Sequence, residues 1–249
     1  MKDAFYTSVD RHGNAIRFRG YINGKRKKAN IEYKPTFFLP ANKGEITPIK
    51  SLQGESLKKY NPGTMRDCDK FIRKYKEFSN STVYGNERYE NQFITDHFRD
   101  AGQCWDRDLI NVTTIDIEVQ SDHGFPDPKF ASYPITAITI KNNIDHVYYV
   151  WAIGPWDDYK SEVKLTGEES ISYIKCFSEK DLLDKFLIQW QTNYPDVITG
   201  WNSTLFDWNY LINRFINVFN DGIPKKFWNG KKRQYEEYQM SKRALKLSP

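Results

Sequence analysis

Long apolar runs are missing from this 249-residue chain, and their absence excludes a membrane-embedded protein from the expectations. No stretch approaches the ~20 consecutive apolar residues that a spanning helix needs. The opening Met1-Lys-Asp-Ala-Phe-Tyr-Thr carries no apolar core of the kind a secretory signal has. Cysteine is scarce as well. Cys68, Cys104 and Cys176 are odd in number and scattered, with neither a disulfide framework nor the C-x-x-C spacing of a zinc site. Internal repeats and low-complexity segments are also lacking. The expectation is a reducing, cytoplasmic setting and no membrane partner.

Aromatic residues make up 16% of the chain and charged residues 28%, over a length that can bury a large core in one or two domains. The net charge of +5 is unevenly spread. Residues 222–249 hold eight basic residues against Glu236 and Glu237, a net of +6, which leaves the remainder near −1. Lys225, Lys226, Lys231, Lys232 and Arg233 beside Phe227, Trp228, Tyr235 and Tyr238 suit single-stranded nucleic acid. A solvated or disordered end is the competing reading, because charge runs are usually that.

The first hundred residues read as a small β-rich unit. Phe5–Val9 and Ala15–Ile22 alternate as strands, with turns at Arg11-His-Gly-Asn and Asn23-Gly24. A third run, Asn30–Leu39, contains Pro35 and belongs at an edge or a bend. Helical spacing of Cys68, Phe71, Ile72, Tyr75 and Phe78 predicts a helix over Thr64–Phe78. The pattern changes near Asp108. From there the chain predicts strands at Ile110–Val119, Ile135–Lys141 and His146–Ala152, a helix at Glu179–Tyr194, a strand at Val197–Trp201 and a helix at Asp207–Phe219. Ser178 with Asp181 makes a plausible cap for the first of those helices. Three strands, a helix, a strand and a helix describe an α/β domain with a mixed sheet, α+β over the whole chain.

Chemistry concentrates in two strings. Thr114-Ile-Asp-Ile-Glu118 places Asp116 and Glu118 two residues apart in a β-branched run, so both carboxylates leave one strand face while Ile115 and Ile117 leave the other. Like charges this close repel, and a hard divalent cation such as Mg²⁺ or Mn²⁺ compensates them. A lone D-x-E is common by chance. Gly200-Trp-Asn-Ser-Thr-Leu-Phe-Asp207 ends with a carboxylate at the start of a predicted helix, where free backbone N–H groups favour an anion. A simple first-turn aspartate is its bland reading.

Together these strings resemble the first two exonuclease motifs of family B DNA polymerases, including those of T-even-type bacteriophages. Glu32-Tyr-Lys-Pro35, His123-Gly-Phe-Pro-Asp-Pro128 and Thr199-Gly-Trp-Asn202 agree in order and spacing. The resemblance runs to about Phe219. It implies a polymerase amino-terminal domain over residues 1–107, the front of a ribonuclease-H-like 3′→5′ proofreading domain over 108–221, and a basic aromatic segment over 222–249. It further implies Asp116, Glu118 and Asp207 as ligands of two Mg²⁺ or Mn²⁺ ions, and Asn202 and Phe125 near the single-stranded 3′ end of a DNA primer. Phe125 reads equally well as a loop anchor. A viral source would put the chain in the host cytoplasm.

The family's third motif, a Tyr followed four residues later by Asp, has no match in Trp208–Pro249. Asp221, Glu236 and Glu237 are the remaining acidic residues there, and nothing in their spacing recommends them as the fourth carboxylate. The palm and fingers motifs have no match either, so the resemblance implies a second polypeptide from a split gene, or a truncated product. Two function classes therefore stand open. One is the proofreading portion of a polymerase, completed by a partner; the other is a non-catalytic module that binds single-stranded DNA or RNA, or serves as a scaffold.

Overall fold

Alternation of apolar and polar residues builds the amino-terminal sheet. In the computed structural model β1 (Ala4–His12), β2 (Ala15–Ile22) and β3 (Lys25–Glu32) form a three-stranded antiparallel sheet in the order β1-β2-β3. The structure describes residues 3–78, 82–99, 105–122, 124–157, 162–229 and 234–247, with the backbone alone over 225–229 and 234–238. Ile16 and Phe18 of β2 are buried on one face against α1 (Met65–Phe78) and α2 (Tyr89–Phe98). Between the sheet and these helices in sequence lie β4 (Phe37–Pro40) and β5 (Leu57–Tyr60), which pair antiparallel. Gly20 is needed where β1 bulges. A Cβ there would lie 2.1 Å from the Phe5 carbonyl oxygen.

Two expectations fail here for identifiable reasons. The run predicted as a strand over Asn30–Leu39 is cut in two, because Pro35 offers no donor and the chain leaves the ladder at Tyr33. β3 instead begins at Lys25, directly after the Asn23-Gly24 turn, where Asn23 and Gly24 both take positive φ. α2 was not expected either. Its apolar positions are few, but Tyr89, Phe93 and Phe98 are all buried.

The chain separates into two compact units, residues 1–107 and 108–249. The second is built on a five-stranded mixed sheet of order β10-β6-β7-β8-β9: β6 (Val112–Val119), β7 (Ile135–Asn142), β8 (Val147–Ile153), β9 (Ser170–Cys176) and β10 (Val197–Thr199). β9, pairing parallel with β8, was missing from the sequence reading. α3 (Glu179–Thr192) buries Leu182, Leu183, Phe186, Leu187 and Trp190, and Ser178 caps it by accepting the Asp181 N–H. α4 (Asp207–Phe219) buries Tyr210, Leu211 and Phe215 in the same core and ends at Asn220, whose φ of 47° supplies a left-handed cap. The mixed sheet with α3 and α4 is consistent with a ribonuclease-H-like exonuclease domain.

The basic segment is not a free tail at its described end. β11 (Gly222–Asn229) and β12 (Gln234–Ser241) pair antiparallel, and a 3₁₀ turn at Ala244–Leu247 returns to the core. Ala244 and Leu247 are buried there, and the indole N–H of Trp190 donates to the Leu247 carbonyl at 2.9 Å. No helix among the described residues is long and apolar enough to cross a membrane.

Candidate active site

The site lies where β6 outruns its neighbour. β10 pairs parallel with β6 only from Val112 to Thr114, and it ends at Thr199. Beyond that point no strand among the described residues pairs with this edge of β6, and the segment 200–206 swings α4 against it. Gly200 permits the approach, since a Cβ would sit 2.6 Å from the Ile115 carbonyl oxygen and 2.9 Å from the Ser203 Cβ. The Asn202 carbonyl then accepts the N–H groups of Leu205 and Phe206, tightening the turn that delivers Asp207. The Asp207 carboxylate accepts the Ile117 N–H at 3.3 Å, so it takes the place of the missing strand partner.

On β6 itself Thr113, Ile115 and Ile117 are buried, while Thr114, Asp116 and Glu118 are exposed on the opposite face. The register with β7 shifts directly after Glu118, a bulge in which the Thr136 hydroxyl donates to the Glu118 carbonyl at 3.2 Å. Bulges beside a site re-aim the side chains next to them.

Electrostatics tie the three carboxylates together. Burial raises the Glu118 pKa above its ordinary value, and the negative charges of Asp116 and Asp207 raise it further. Asp207 is buried and also raised, chiefly by desolvation. Its own N–H and that of Ile117 pull it partly back, and Asp116 pushes it up. No basic side chain figures among the influences on either group. Three mutually repelling oxygen donors without a cationic side chain are the donor chemistry that a hard divalent cation suits. Among the described residues no group of three His, Cys, Asp or Glu side chains is drawn close enough to hold a metal ion as it stands.

Aromatic surface surrounds the carboxylates. Phe125 is 77% exposed, yet its ring packs at 4.7 Å on Phe206, the residue preceding Asp207. It is therefore both anchored and open. Asn202 is exposed, beside a fully exposed Trp201 and a 73% exposed Leu205.

The residues that hold this arrangement escaped the sequence reading. From α4, the Tyr210 hydroxyl donates to the Tyr133 carbonyl and accepts the Tyr133 N–H. Asn213 donates to the Pro128 carbonyl, and Asn217 to the carbonyls of Phe130 and Ala131. Arg214 makes a bidentate pair with Glu179 at 2.6 and 2.7 Å and also donates to the Ala131 and Ser132 carbonyls. Glu179 in turn accepts the Ile135 N–H. This ladder fixes the segment after Phe125 to the helix that begins at Asp207, and holds Ala131 at a positive φ of 42°. Its signal was a polar stripe at positions 210, 213, 214 and 217 of an otherwise apolar helix.

Asp221 does not join the site. It follows the opposite end of the 13-residue α4, about 20 Å along the axis from Asp207, and it accepts the Arg243 N–H at 3.0 Å. The side chains of Glu236 and Glu237 lie outside the described residues.

Comparison with known proteins gives this geometry a context. The family model "DNA polymerase family B, exonuclease domain" matches residues 57–245. A DNA-directed DNA polymerase of Escherichia phage RB69 is 29% identical over 245 residues, covering 91% of this chain and 27% of the phage protein. That of Enterobacteria phage T4 is 29% identical over 247 residues, again 91% of this chain and 27% of the relative. A DNA polymerase catalytic subunit of Equine herpesvirus 2 aligns over 114 residues at 28% identity, 44% of this chain and 10% of the relative. The chain thus spans about a quarter of the length of the phage polymerases it matches.

Proposed function

Because the chain belongs to the exonuclease domain family of family B DNA polymerases, we propose that Asp116, Glu118 and Asp207 form the carboxylate part of a 3′→5′ exonuclease that trims the single-stranded end of a DNA primer. The observation carrying this reading is the meeting of the two motifs: Asp207 is bonded to the backbone of Ile117, between the two outward carboxylates of β6. In the reaction a water oxygen forms a bond to the terminal phosphorus as the P–O3′ bond breaks, releasing a nucleoside 5′-monophosphate and a primer shortened by one residue.

Asp116, Glu118 and Asp207 would hold two Mg²⁺ or Mn²⁺ ions, which supply Lewis acidity and neutralise phosphate charge at the scissile bond. The protein's own part is positional. Phe125 offers a ring face on which an unstacked terminal base can lie, and Asn202 offers an amide to its sugar or phosphate. Asp207, held by the Ile117 N–H, fixes the distance between helix and strand. The Arg214–Glu179 ladder keeps Phe125 from drifting away from that strand.

A second polypeptide completes the site in this reading, and the free edge of the five-stranded sheet favours it. Among the described residues β10 has no strand on its outer side, and Val197 and Ile198 are 43% and 39% exposed on it. Parallel edges of this kind are ordinarily covered. A strand added there would lie next to the segment carrying Asp207. The test is digestion of a 3′-labelled single-stranded oligonucleotide in Mg²⁺, with and without the polypeptide encoded downstream. Cleavage that needs both chains supports a shared site. Binding without cleavage in every mixture would leave the non-catalytic DNA- or RNA-binding module.

A further inference from the structure

Polar side chains recur on α4 at Tyr210, Asn213, Arg214 and Asn217, the i, i+3, i+4, i+7 spacing of one helix face. A face so spaced that packs against protein is ordinarily apolar. Here it holds a loop instead. The carbonyls of Pro128, Phe130, Ala131, Ser132 and Tyr133 all accept hydrogen bonds from these four side chains. Neighbouring groups are tied as well: the Lys129 N–H donates to the Asp127 carboxylate, the Ala131 N–H to the Asp127 carbonyl and the Ile135 N–H to Glu179. Ala131, fully buried, is kept at a φ of 42°. A residue with a Cβ holds that left-handed conformation only where its surroundings over-determine it, and such places gather at functional sites.

The loop is joined to the carboxylate site by two routes. Phe125 sits at its near end, and Pro126, directly after it, is buried with a ring-fixed φ. The Phe125 ring lies 4.7 Å from that of Phe206, and Phe206 lies 5.4 Å from Tyr210. The Tyr210 hydroxyl in turn bonds both backbone groups of Tyr133. A closed circuit results, running from Phe125 through two rings into α4 and back along the loop. Asp207, the first residue of α4, lies on that circuit between Phe206 and Tyr210. The exposed ring of Phe125 therefore moves against Asp207 only by breaking a ring contact or the bonds to α4.

We propose that Tyr210, Asn213 and Asn217 are positioning residues for the substrate. By fixing the loop over residues 128–133 they set the place of the Phe125 ring relative to the carboxylates, so that an unstacked 3′-terminal base resting on the ring brings its own phosphate to the site. None of the three touches the substrate. They act through Phe125, by preorganisation: a platform already in place spares the cost of ordering it on binding. This role rests on the exonuclease reading above and deepens it, by naming what fixes the grip on the terminal base.

The test uses the full chain in EDTA, where cleavage does not interfere. Binding of a 5′-labelled oligo-dT is followed by anisotropy, and photo-crosslinking of the same strand with a 3′-terminal 5-iodouracil is mapped onto the protein. Phe125→Ala should weaken binding by about 5- to 100-fold, the range of a lost base–aromatic stack. The triple variant Tyr210→Phe, Asn213→Ala, Asn217→Ala should weaken it at least about threefold and lower the crosslink to Phe125 by a similar factor. Added to Phe125→Ala, the same three changes should weaken binding no further, since residues acting through one platform are not additive. An equal further loss on that background would show a merely structural ladder and overturn the proposal. So would unchanged affinity and crosslink in a triple variant with a wild-type circular dichroism spectrum, which would leave the exonuclease reading in place. If Phe125→Ala itself changes neither, the base platform of that reading fails together with this role. Should the triple variant misfold, Asn217→Ala alone, at an exposed position, must still lower the crosslink about twofold.

Discussion

Two sheet edges in this chain solve the same problem in opposite ways. β3, at the edge of the three-stranded sheet, is exposed along nearly its whole length and guarded by Lys25, Arg26, Lys27 and Lys28. β10, at the edge of the five-stranded sheet, is only three residues long and carries Val197 and Ile198 part-exposed, with no charge among its three residues. The first edge is at home in water. The second is guarded by shortness and not by charge, and its exposed Val197 and Ile198 are the apolar part that a further strand could cover. The carboxylate site belongs to the second, because the end of β10 is what frees the β6 edge for Asp207.

That contrast can be broken at several points. The largest expected effect is at the ladder behind the site. Arg214→Met leaves the half-buried Glu179 without its partner, and the chain should lose about 1.5–3 kcal/mol of stability in urea unfolding. If the loss is below about 1 kcal/mol, the ladder is not what holds the segment after Phe125. Next comes Gly200→Ala, which forces a Cβ against the Ile115 carbonyl. It should cost about 1–3 kcal/mol and lower exonuclease rate more than it lowers oligonucleotide affinity.

Ile198→Lys converts the β10 edge to the β3 type. It should leave the melting temperature of the isolated chain nearly unchanged and abolish association with any second polypeptide that completes the proposed site, measured by sedimentation.

The smallest effect is on pH dependence. Glu118 and Asp207 are both raised above their ordinary values by burial and by one another's neighbours. Between the ordinary and the raised value the folded chain holds more protons than the unfolded one. Their contribution to stability is therefore fully present below the ordinary carboxylate range and is lost as pH rises through the raised values. Asp207→Asn, whose amide oxygen can still accept the Ile117 N–H, should be more stable than wild type at neutral pH and equal to it at acid pH. Urea midpoints across that range give the comparison. Mg²⁺ should raise the midpoint of wild type at neutral pH and leave that of Asp207→Asn in place.

Much of the second unit was legible because its signals are local. α4 runs from Asp207 to Phe219 as its apolar spacing required, and Ser178 caps α3 through the Asp181 N–H. Strand alternation alone put Asp116 and Glu118 on one face. What the sequence could not express was the edge geometry: that β10 stops opposite Thr114, and that Asp207 is fastened to Ile117 instead of simply capping its helix. The basic surface of β1–β3 was hidden for a similar reason. Its excess is offset only by acidic residues much further along residues 1–221, and only the register sets Arg19 against Lys28. The residues after Phe219 misled in the other direction, since a charge run suggested a solvated end, yet Leu247 is buried beside Trp190.

The proposal that the two motifs form one hydrolytic site is tested most directly by degradation of a 3′-labelled single strand in Mg²⁺, comparing wild type with Asp116→Ala, each alone and with any polypeptide that completes the site. Wild type should shorten the strand stepwise from its 3′ end, and the variant should lose about a hundred- to a thousandfold in rate, in line with a group that acts at the reacting phosphate. Equal degradation by both proteins, or none by wild type while the oligonucleotide remains bound, would contradict it.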